Sequence, residues 1–295
     1  MAGDSLHILK RKRLGQELRR LREERSITRT AAAAAVDCDV SKICRMELAR
    51  AYVTPRDLRT LCRLYEVSPQ QQFELEQLIV GKRPRHWWRE HAEVMNAHLT
   101  EFVALEDGAV VECEYQPMVI GGLLQAPEYI AAIMETGINP LARDQVSSLV
   151  AVRRARQRRL DDDPVLQYHS IVSEAALYVD TGGRDVMCTQ LRYLVQATRR
   201  PNILFQVVPF HAGARGAHAA GFALLGFADP VDPEVAFVEG IAGMIPCDSM
   251  REVQRYRRLF RRIEQAALSP DDSIALLHER VESLSCSRTA CTRSP

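Results

Sequence analysis

The stretch ITRTAAAAAVDCDVSKICRME, residues 27–47, contains two short helical segments separated by a tight turn. Thr28 is suited to cap the first segment, residues 30–36, because a threonine oxygen accepts a hydrogen bond from the free N–H groups at a helix start. Asp37-Cys38-Asp39 is typical of a turn, and its last aspartate can cap the second segment, residues 40–48. The stretch therefore predicts two helices held close together by a short turn.

Further amphipathic helices are predicted on both sides of this pair. Leu14, Leu18 and Leu21 recur at spacings of four and three residues, which places one apolar stripe on a helix of about three turns. Residues 55–65 begin at a proline and offer a second apolar stripe, and residues 70–80 follow a Ser-Pro start signal. The first eighty-five residues are therefore predicted to form a bundle of five short helices.

These residues resemble the Cro/C1-type (XRE) helix-turn-helix family. The resemblance is carried by residues 27–36 and 41–47, followed by Pro55-Arg56-Asp57-Leu58 and by residues 61–65. It implies a DNA-binding domain whose second helix of the pair lies in the major groove. By the same resemblance, the side chains expected to face bases are those of Val40, Ser41 and Arg45, and those expected near phosphates are Arg29, Lys42 and Arg50.

Two positions depart from the family pattern. Asp37 stands where the turn usually has glycine, and Leu48-Ala49 stands where Asn-Gly usually ends the recognition helix. A residue other than glycine in the left-handed region costs roughly 1 kcal/mol. Because alanine is less suited to that region than aspartate, an alternative to the helix over residues 40–48 is one that runs on into Arg50.

The formal net charge of +1 is the sum of two opposite parts. Residues 1–85 carry 18 Lys and Arg against 11 Asp and Glu, and the remaining residues carry 21 against 27, so the two parts have net charges of +7 and −6. Such an asymmetry is typical of a polyanion-binding module joined to a different one. The basic break at residues 81–85 is the expected boundary. We expect a helix-turn-helix domain over 1–82, a linker helix over 83–108, an effector or dimerisation domain over 109–284 and a disordered tail over 285–295.

The second part is predicted to mix strands and helices. Strands are expected at 109–115, 164–172, 203–209, 220–227 and 235–239, and helices at 91–105, 141–160, 185–199, 250–267 and 269–284. The helix at 141–160 has a basic face of five arginines. The whole chain is thus expected to have an α+β fold, in which an N-terminal all-α helix-turn-helix bundle is followed by a mixed α/β C-terminal domain.

An ordered set of motifs in this part resembles the uncharacterised C-terminal domain found behind XRE domains in actinobacterial regulators. They include Gly122-Leu123-Leu124-Gln125, the Arg153-x-x-Arg156-Gln157 helix and Gln206-Val207-Val208-Pro209. The resemblance implies a cytosolic regulator, often encoded beside a small partner protein in an antitoxin-like arrangement, and it implies no known ligand. The sequence departs at Gly121, where the family usually has proline.

No hydrolase, P-loop, dinucleotide or metalloprotease motif is present in the sequence, and the eight cysteines are scattered without a C-x-x-C pair. The glycine-rich residues 213–221 lack the lysine of a phosphate cradle and lead into a strand, which favours a loop or a lid over a pocket. The residues that we consider for a ligand pocket are Trp87, His169, Glu174, His211, His218 and Glu239. For Trp87, anchoring of the linker helix is the alternative to ligand stacking.

We therefore expect a DNA-binding transcriptional regulator in the cytoplasm, acting on double-stranded DNA as a homodimer, whose second domain senses a small-molecule effector or a small protein encoded nearby. We expect no cofactor, no metal, no membrane span and no catalytic residue. Two alternatives remain open from the sequence. One is an antitoxin-like protein that sequesters a small partner, and the other is an enzyme with a vestigial helix-turn-helix.

Overall fold

The computed structural model describes residues 3–79, 87–91, 93–136, 143–162, 164–215, 220–240, 243–247 and 249–290. The chain divides into two compact units, one formed by Met1–His86 with Phe227–Pro233 and the other by Trp87–Gly226 with Glu234–Pro295. The first unit is helical and the second contains a six-stranded sheet with helices. The predicted α+β fold class is confirmed.

Five helices form the first unit, and the predicted pair lies at its centre. They are α1 Gly3–Glu24, α2 Arg29–Ala35, α3 Val40–Glu47, α4 Pro55–Leu64 and α5 Pro69–Glu76. Helix α1 is much longer than its leucine stripe predicts, because the basic residues before that stripe continue the helix. Thr28 accepts from the N–H of Ala31 at 3.1 Å, whereas the Asp39 side chain makes no capping hydrogen bond.

The core of the first unit is built from apolar side chains of all five helices. Buried members include Leu14, Leu18, Ile43, Leu58 and Leu75. Only two of the five consecutive alanines in α2, Ala32 and Ala33, contribute to this core. The other three alanines are exposed to solvent. Helix α1 can approach α3 closely because it carries Gly15, where an added Cβ would lie 2.6 Å from the carbonyl oxygen of Met46.

The first four helices end in the same way. In each, the residue after the C-cap has a positive φ, and hydrogen bonds run back from it and from the next residue to the last helical turn, which defines a Schellman motif. The four residues in this position are Ser26, Asp37, Ala49 and Glu66, with φ of 54°, 54°, 58° and 52°. The alternative in which α3 runs on into Arg50 is therefore wrong, since α3 ends at Glu47 and Ala49 adopts the left-handed conformation.

The sheet of the second unit has the strand order β3-β2-β1-β4-β5-β6. The strands are β1 Val111–Gln116, β2 Gln167–Ser173, β3 Ile203–Val208, β4 Phe222–Gly226, β5 Val235–Gly240 and β6 Gly243–Pro246. Strands β1, β2 and β3 are parallel, and β4, β5 and β6 add as an antiparallel meander on the other side of β1. Strand β6 was not predicted, because its four residues begin with glycine and end with proline.

Helices cover both faces of this sheet. They are α6 Ala97–Glu106, α7 Pro127–Thr136, α8 Arg143–Gln157, α9 Arg184–Ala197, α10 Met250–Ala266 and α11 Pro270–Ala290. Helix α10 packs against one face through Val253, Phe260 and Ile263, while α6 packs on the opposite face, where the Phe102 and Phe237 rings are 5.0 Å apart. Helix α7 was not predicted, and α6 begins later than residue 91.

Two predicted boundary segments differ from expectation. The predicted linker helix over 83–108 is a short 3-10 helix, Trp87–His91, followed by α6, and Trp88 is buried within the second unit at 2% exposure. Residues 80–86 lie outside the described residues. The predicted disordered tail from residue 285 is helical as far as Ala290, where α11 ends, and residues 291–295 lie outside the described part of the chain.

Candidate functional sites

Helix α3 presents one face to solvent and one to the core. Val40 is 43% exposed, and Ser41 and Arg45 are also exposed, whereas Ile43 and Met46 are buried. The Nε of Arg45 donates to the backbone oxygen of Ser41 at 3.4 Å, so the guanidinium lies along the start of the helix. The three residues predicted to face bases therefore share one exposed surface.

A buried carboxylate fixes α3 to both preceding helices. Glu47 is 5% exposed and accepts from Arg22 of α1 at 2.5 Å and from Arg29 of α2 at 2.9 Å. The hydrogen bond to Glu47 raises the pKa of Arg22, despite the opposing effect of burial. Because both Glu47 oxygens are engaged, rotation of α3 against its neighbours would leave a buried charge unpaired.

The residues predicted near phosphates lie around this exposed surface. Arg29 belongs to the Glu47 cluster and keeps 37% of its side chain exposed. Lys42 pairs with Asp57 of α4 at 3.0 Å with its side chain 36% exposed. Arg50 is exposed and its backbone N–H donates to Arg45 in the Schellman motif at 2.7 Å. Sequence reasoning did not anticipate that Arg29 and Lys42 are ion-paired within the unit.

Of the pocket candidates that the structure describes, two lie on β2 or directly after it. His169 lies on the α10 side of β2, bonded to Gln206 at 2.7 Å and edge-on to Phe260 at 5.0 Å. Burial lowers the pKa of His169. Glu174 follows β2 and accepts from the backbone N–H of Phe210 at 2.7 Å. These contacts are those of residues that hold neighbouring segments together.

No hydrogen bond or ion pair joins Trp87, His211 or Glu239 to His169 or Glu174, although His211 directly follows Phe210, whose N–H bonds Glu174. Trp87 donates from its indole to Asp107 at 3.3 Å and packs edge-on against Trp88, which agrees with the anchoring alternative. His211 is exposed, and His218 lies outside the described residues. Glu239, at the end of β5, is exposed and belongs to a different site, on the α6 side of the sheet.

That site is a line of polar side chains along the central strand β1. Glu112, Glu114 and Gln116 alternate with Cys113 and Tyr115, and all five are buried. Since alternate residues of a strand share a face, the two acids and the amide lie together on the α6 side. Glu114 accepts from the hydroxyl of Tyr168 on β2 and from Gln116 at 3.1 Å.

Two arginines of α8 lie over this polar line. Arg156 is 7% exposed and makes a bidentate pair with Glu106 of α6, at 2.6 and 2.7 Å. Arg153 donates to Gln125 at 2.5 Å. The basic face predicted for this helix is therefore partly internal: Arg159, just beyond α8, is also buried and bonds the backbone oxygen of Ala109 at 2.7 Å.

Two glycines allow the polar side chains to approach the backbone. A Cβ at Gly121 would overlap Glu114 Oε2 and lie 2.6 Å from the Tyr168 hydroxyl. A Cβ at Gly221 would lie 2.6 Å from Gln116 Oε1 and 2.7 Å from Glu239 Oε2. Two acceptor oxygens thus converge on one point above Gly221, and that of Gln116 has no hydrogen-bond partner among the described residues.

Burial dominates the electrostatics of this site. It raises the pKa of Glu112 well above its ordinary value, and the nearby carboxylates of Glu106 and Glu114 raise it further. Burial also raises the pKa of Glu114, although bonds from Tyr168 and Gln116 oppose this effect. Burial, followed by the charge of Arg156, lowers the pKa of Arg153 to about 10. Clusters of this kind are enriched at functional sites.

The sequence contains a pattern that indicates this polar site, although it was not among the predicted pocket residues. Residues 111–116 read V-E-C-E-Y-Q, in which acids and an amide alternate with apolar residues on a strand that has helices on both sides. Polar residues on a buried face are the informative exception to apolar interiors. Among the described residues, no group of three or more His, Cys, Asp or Glu has a metal-holding arrangement. Among the described residues, no helix is long and apolar enough to cross a membrane.

Comparison with known proteins agrees with the division into two units. A family model described as a helix-turn-helix domain matches residues 13–75, and one described as a domain of unknown function (DUF5753) matches residues 99–279. No curated protein and no solved structure matches the chain. The helix-turn-helix match supports a DNA-binding regulator rather than an enzyme. Because the second family model covers more than half of the 295 residues, the chain belongs to the DUF5753 family and carries a helix-turn-helix domain in front of it.

Proposed function

We propose that this protein is a sequence-specific transcriptional regulator that reads DNA with helix α3. The observation that carries the proposal is the exposed surface of Val40, Ser41 and Arg45 on a helix whose opposite side is locked by buried contacts. An arginine there can bond guanine through two N–H groups, and a valine can contact a thymine methyl group. A rigid helix is needed for this reading, because base contacts require a fixed register in the major groove.

The proposed phosphate contacts are Arg29, Lys42 and Arg50. The ion pairs of Arg29 with Glu47 and of Lys42 with Asp57 fix the directions of these cations while leaving more than a third of each side chain exposed. Such pre-positioned cations would set the orientation of the domain on the duplex without reading sequence. We propose further that two copies bind together, since one such domain reads one half-site and two half-sites lie about 34–36 Å apart along the DNA.

Selection from a randomised duplex pool tests this proposal. We expect the full chain to select a two-fold symmetric sequence, and we expect Arg45→Ala to lose its preference for that sequence by at least about tenfold, in line with 1–3 kcal/mol per bidentate base contact. Arg63→Ala is the matched control, because Arg63 on α4 is also exposed and also bonds the carbonyl four residues earlier at 3.4 Å. Equal binding by the Arg45 variant and the wild type would remove α3 as the reading helix.

For the second unit, we propose reception of a small-molecule effector at the polar line of β1. The support is the convergence of Gln116 Oε1 and Glu239 Oε2 above Gly221, near the carboxyl end of β1, where the sheet changes from parallel to antiparallel pairing. Crevices outside the carboxyl ends of parallel strands are common ligand sites in α/β sheets. Two acceptors, one of them a carboxylate, fit an ammonium or guanidinium group. The alternative, sequestration of a partner protein, is supported by net charge alone.

Thermal unfolding of the full chain with ethylammonium, agmatine and spermidine tests this second proposal. We expect at least one of these cations to raise the melting temperature of the wild type, and Gly221→Ala to abolish the shift by filling the space between the two oxygens. Gly226→Ala is the matched control at the other end of β4, where a Cβ would make an ordinary 3.6 Å contact with Val111. A wild type that responds to none of the three, or a shift that persists in Gly221→Ala, would contradict the site.

A further inference from the structure

We propose that the exposed face of helix α10 is a second DNA-phosphate surface, separate from α3. Its residues, here called the arginine row, are Arg251, Arg255, Arg258 and Arg262, all exposed. Their spacings of four, three and four residues place them on one straight line along the helix. The proposal rests on the DNA-binding function proposed above, but on none of the residues of the first unit.

The arginine row lies directly opposite the part of α10 that packs on the sheet. Val253, Phe260 and Ile263 are buried there, at 1–3% exposure. With a rise of 1.5 Å per residue, the row extends for about 16 Å. One DNA strand carries a phosphate every 3.4 Å along the duplex axis, so a row of this length spans about four or five phosphates.

Within the described part of the chain, none of the four arginines in the row has an ion-pair partner. Two acids close to the row in sequence or on its flank are engaged elsewhere: Glu252 accepts a hydrogen bond from the N-cap Ser249 at 3.0 Å, and Glu234 pairs with Arg257. Helix α1 is also rich in arginine, but its exposed Arg19 and Arg20 are bonded to glutamates of the same helix. The arginine row is thus available in a way that Arg19 and Arg20 are not.

The row also opposes the stability of its own helix. Arg251 lies in the first turn, where the helix dipole disfavours a cation. Like charges at spacings of three and four residues repel by about 0.2–0.5 kcal/mol per pair. Helix α10 carries six arginines and two glutamates, while the rest of residues 86–295 carries 15 basic and 25 acidic residues. The exposed positive charge of α10 therefore lies in a part of the chain that is acidic overall, and it is unfavourable until a polyanion binds.

An acidic protein surface would also attract such a row. DNA is favoured because the same chain carries a helix-turn-helix domain, which would bring a duplex to the protein, and because a regular line of guanidinium groups suits the regular spacing of phosphates. Contacts of this kind are independent of base sequence. They would increase affinity for all DNA and leave the choice of operator to α3.

The salt dependence of binding to a random-sequence duplex tests the proposal. The variant changes all four residues of the row to glutamine, which keeps helix propensity and removes the charges. Each phosphate contact contributes about 0.9 to the slope of log K against log[salt]. We therefore expect the slope to fall in magnitude by about 2–4 per protomer, with thermal stability unchanged or slightly higher.

The matched control makes the same charge change elsewhere in the second unit. It replaces four exposed arginines on other elements, at positions 154, 158, 192 and 199, by glutamine. If this control lowers the slope as much as the row variant does, the effect is one of overall charge and the proposal fails. An unchanged slope in the row variant overturns it as well. Failure of the proposed reading helix is recognised separately, because it appears as unchanged operator preference in Arg45→Ala.

Discussion

At the scale of single residues, the second unit holds a carboxylate that opposes its stability. Glu112 is 1% exposed, its Oε2 has no hydrogen-bond partner among the described residues, and its pKa is raised by burial and by neighbouring carboxylates. A raised pKa means that the folded state keeps its proton to a higher pH than the unfolded state does. The contribution of Glu112 to the free energy of unfolding is therefore fully present below its unfolded pKa of about 4.3 and is lost as the pH rises to the folded pKa.

Glu112→Gln should remove this pH dependence. We expect the variant to gain stability relative to the wild type as the pH rises from 5 to 8, because glutamine occupies the same volume without ionising. Both tryptophans lie in the second unit, so urea unfolding followed by tryptophan fluorescence reports on it directly. His169, whose lowered pKa costs stability as the pH falls below about 6.5, is present in both proteins and cancels in the difference.

The control for this comparison is Glu279→Gln, at an exposed position of α11. Its stability difference from the wild type should be small and nearly constant over the same pH range. A Glu112→Gln difference that is equally flat would mean that Glu112 is ionised in the folded state and has a compensating partner. The sequence indicates only that an acid stands on a strand here, because the strand is buried on both faces only after α6 and α8 have packed.

At the scale of elements, four helix ends carry strain that glycine would relieve. Glu66 closes the Schellman motif of α4, with φ of 52°, and its side chain is exposed. The left-handed conformation costs a non-glycine residue roughly 1–2 kcal/mol, partly offset by the greater unfolded-chain entropy of glycine. We expect Glu66→Gly to stabilise the first unit by about 0.5–1 kcal/mol, measured by far-UV circular dichroism in urea.

A change to glycine inside a helix should have the opposite effect on stability. Arg59→Gly, at an exposed position in the middle of α4, should destabilise the first unit by about 1 kcal/mol. If both variants are destabilised, the closing position of α4 is not strained. The tryptophan signal should be unaffected by either change, since the first unit contains no tryptophan.

The helices of the first unit were predictable because each element carries its own signals. Leucine spacing, threonine and serine caps and the prolines at residues 55 and 69 act over a few residues. The alternative in which α3 continues into Arg50 was wrong, since the Schellman hydrogen bonds and the surrounding packing override the local preference of Ala49. Strand β6 was missed for the same kind of reason: it forms because β5 offers it a pairing edge.

At the scale of the whole molecule, near-zero net charge conceals a separation of charge. The basic first part, the acidic second part and the basic α10 within it add up to a net of +1. Association with nucleic acid depends more on where the charged residues lie than on the net charge of the chain. A chain with this arrangement should bind DNA with a steep salt dependence in spite of a sequence pI near 7.6.

Short-range patterns in this protein establish the helix-turn-helix bundle, the α+β fold class and the exposed residues of α3, because apolar periodicity and capping depend only on near neighbours. The polar line of β1, the arginine row of α10 and the placement of the pocket candidates that the structure describes depend on which faces meet. His169 and Glu239 both lie on predicted strands, yet they face opposite sides of the sheet. The polar line brings together residues as distant in sequence as Gln116 and Gly221, so it is decided by the packing of the folded chain.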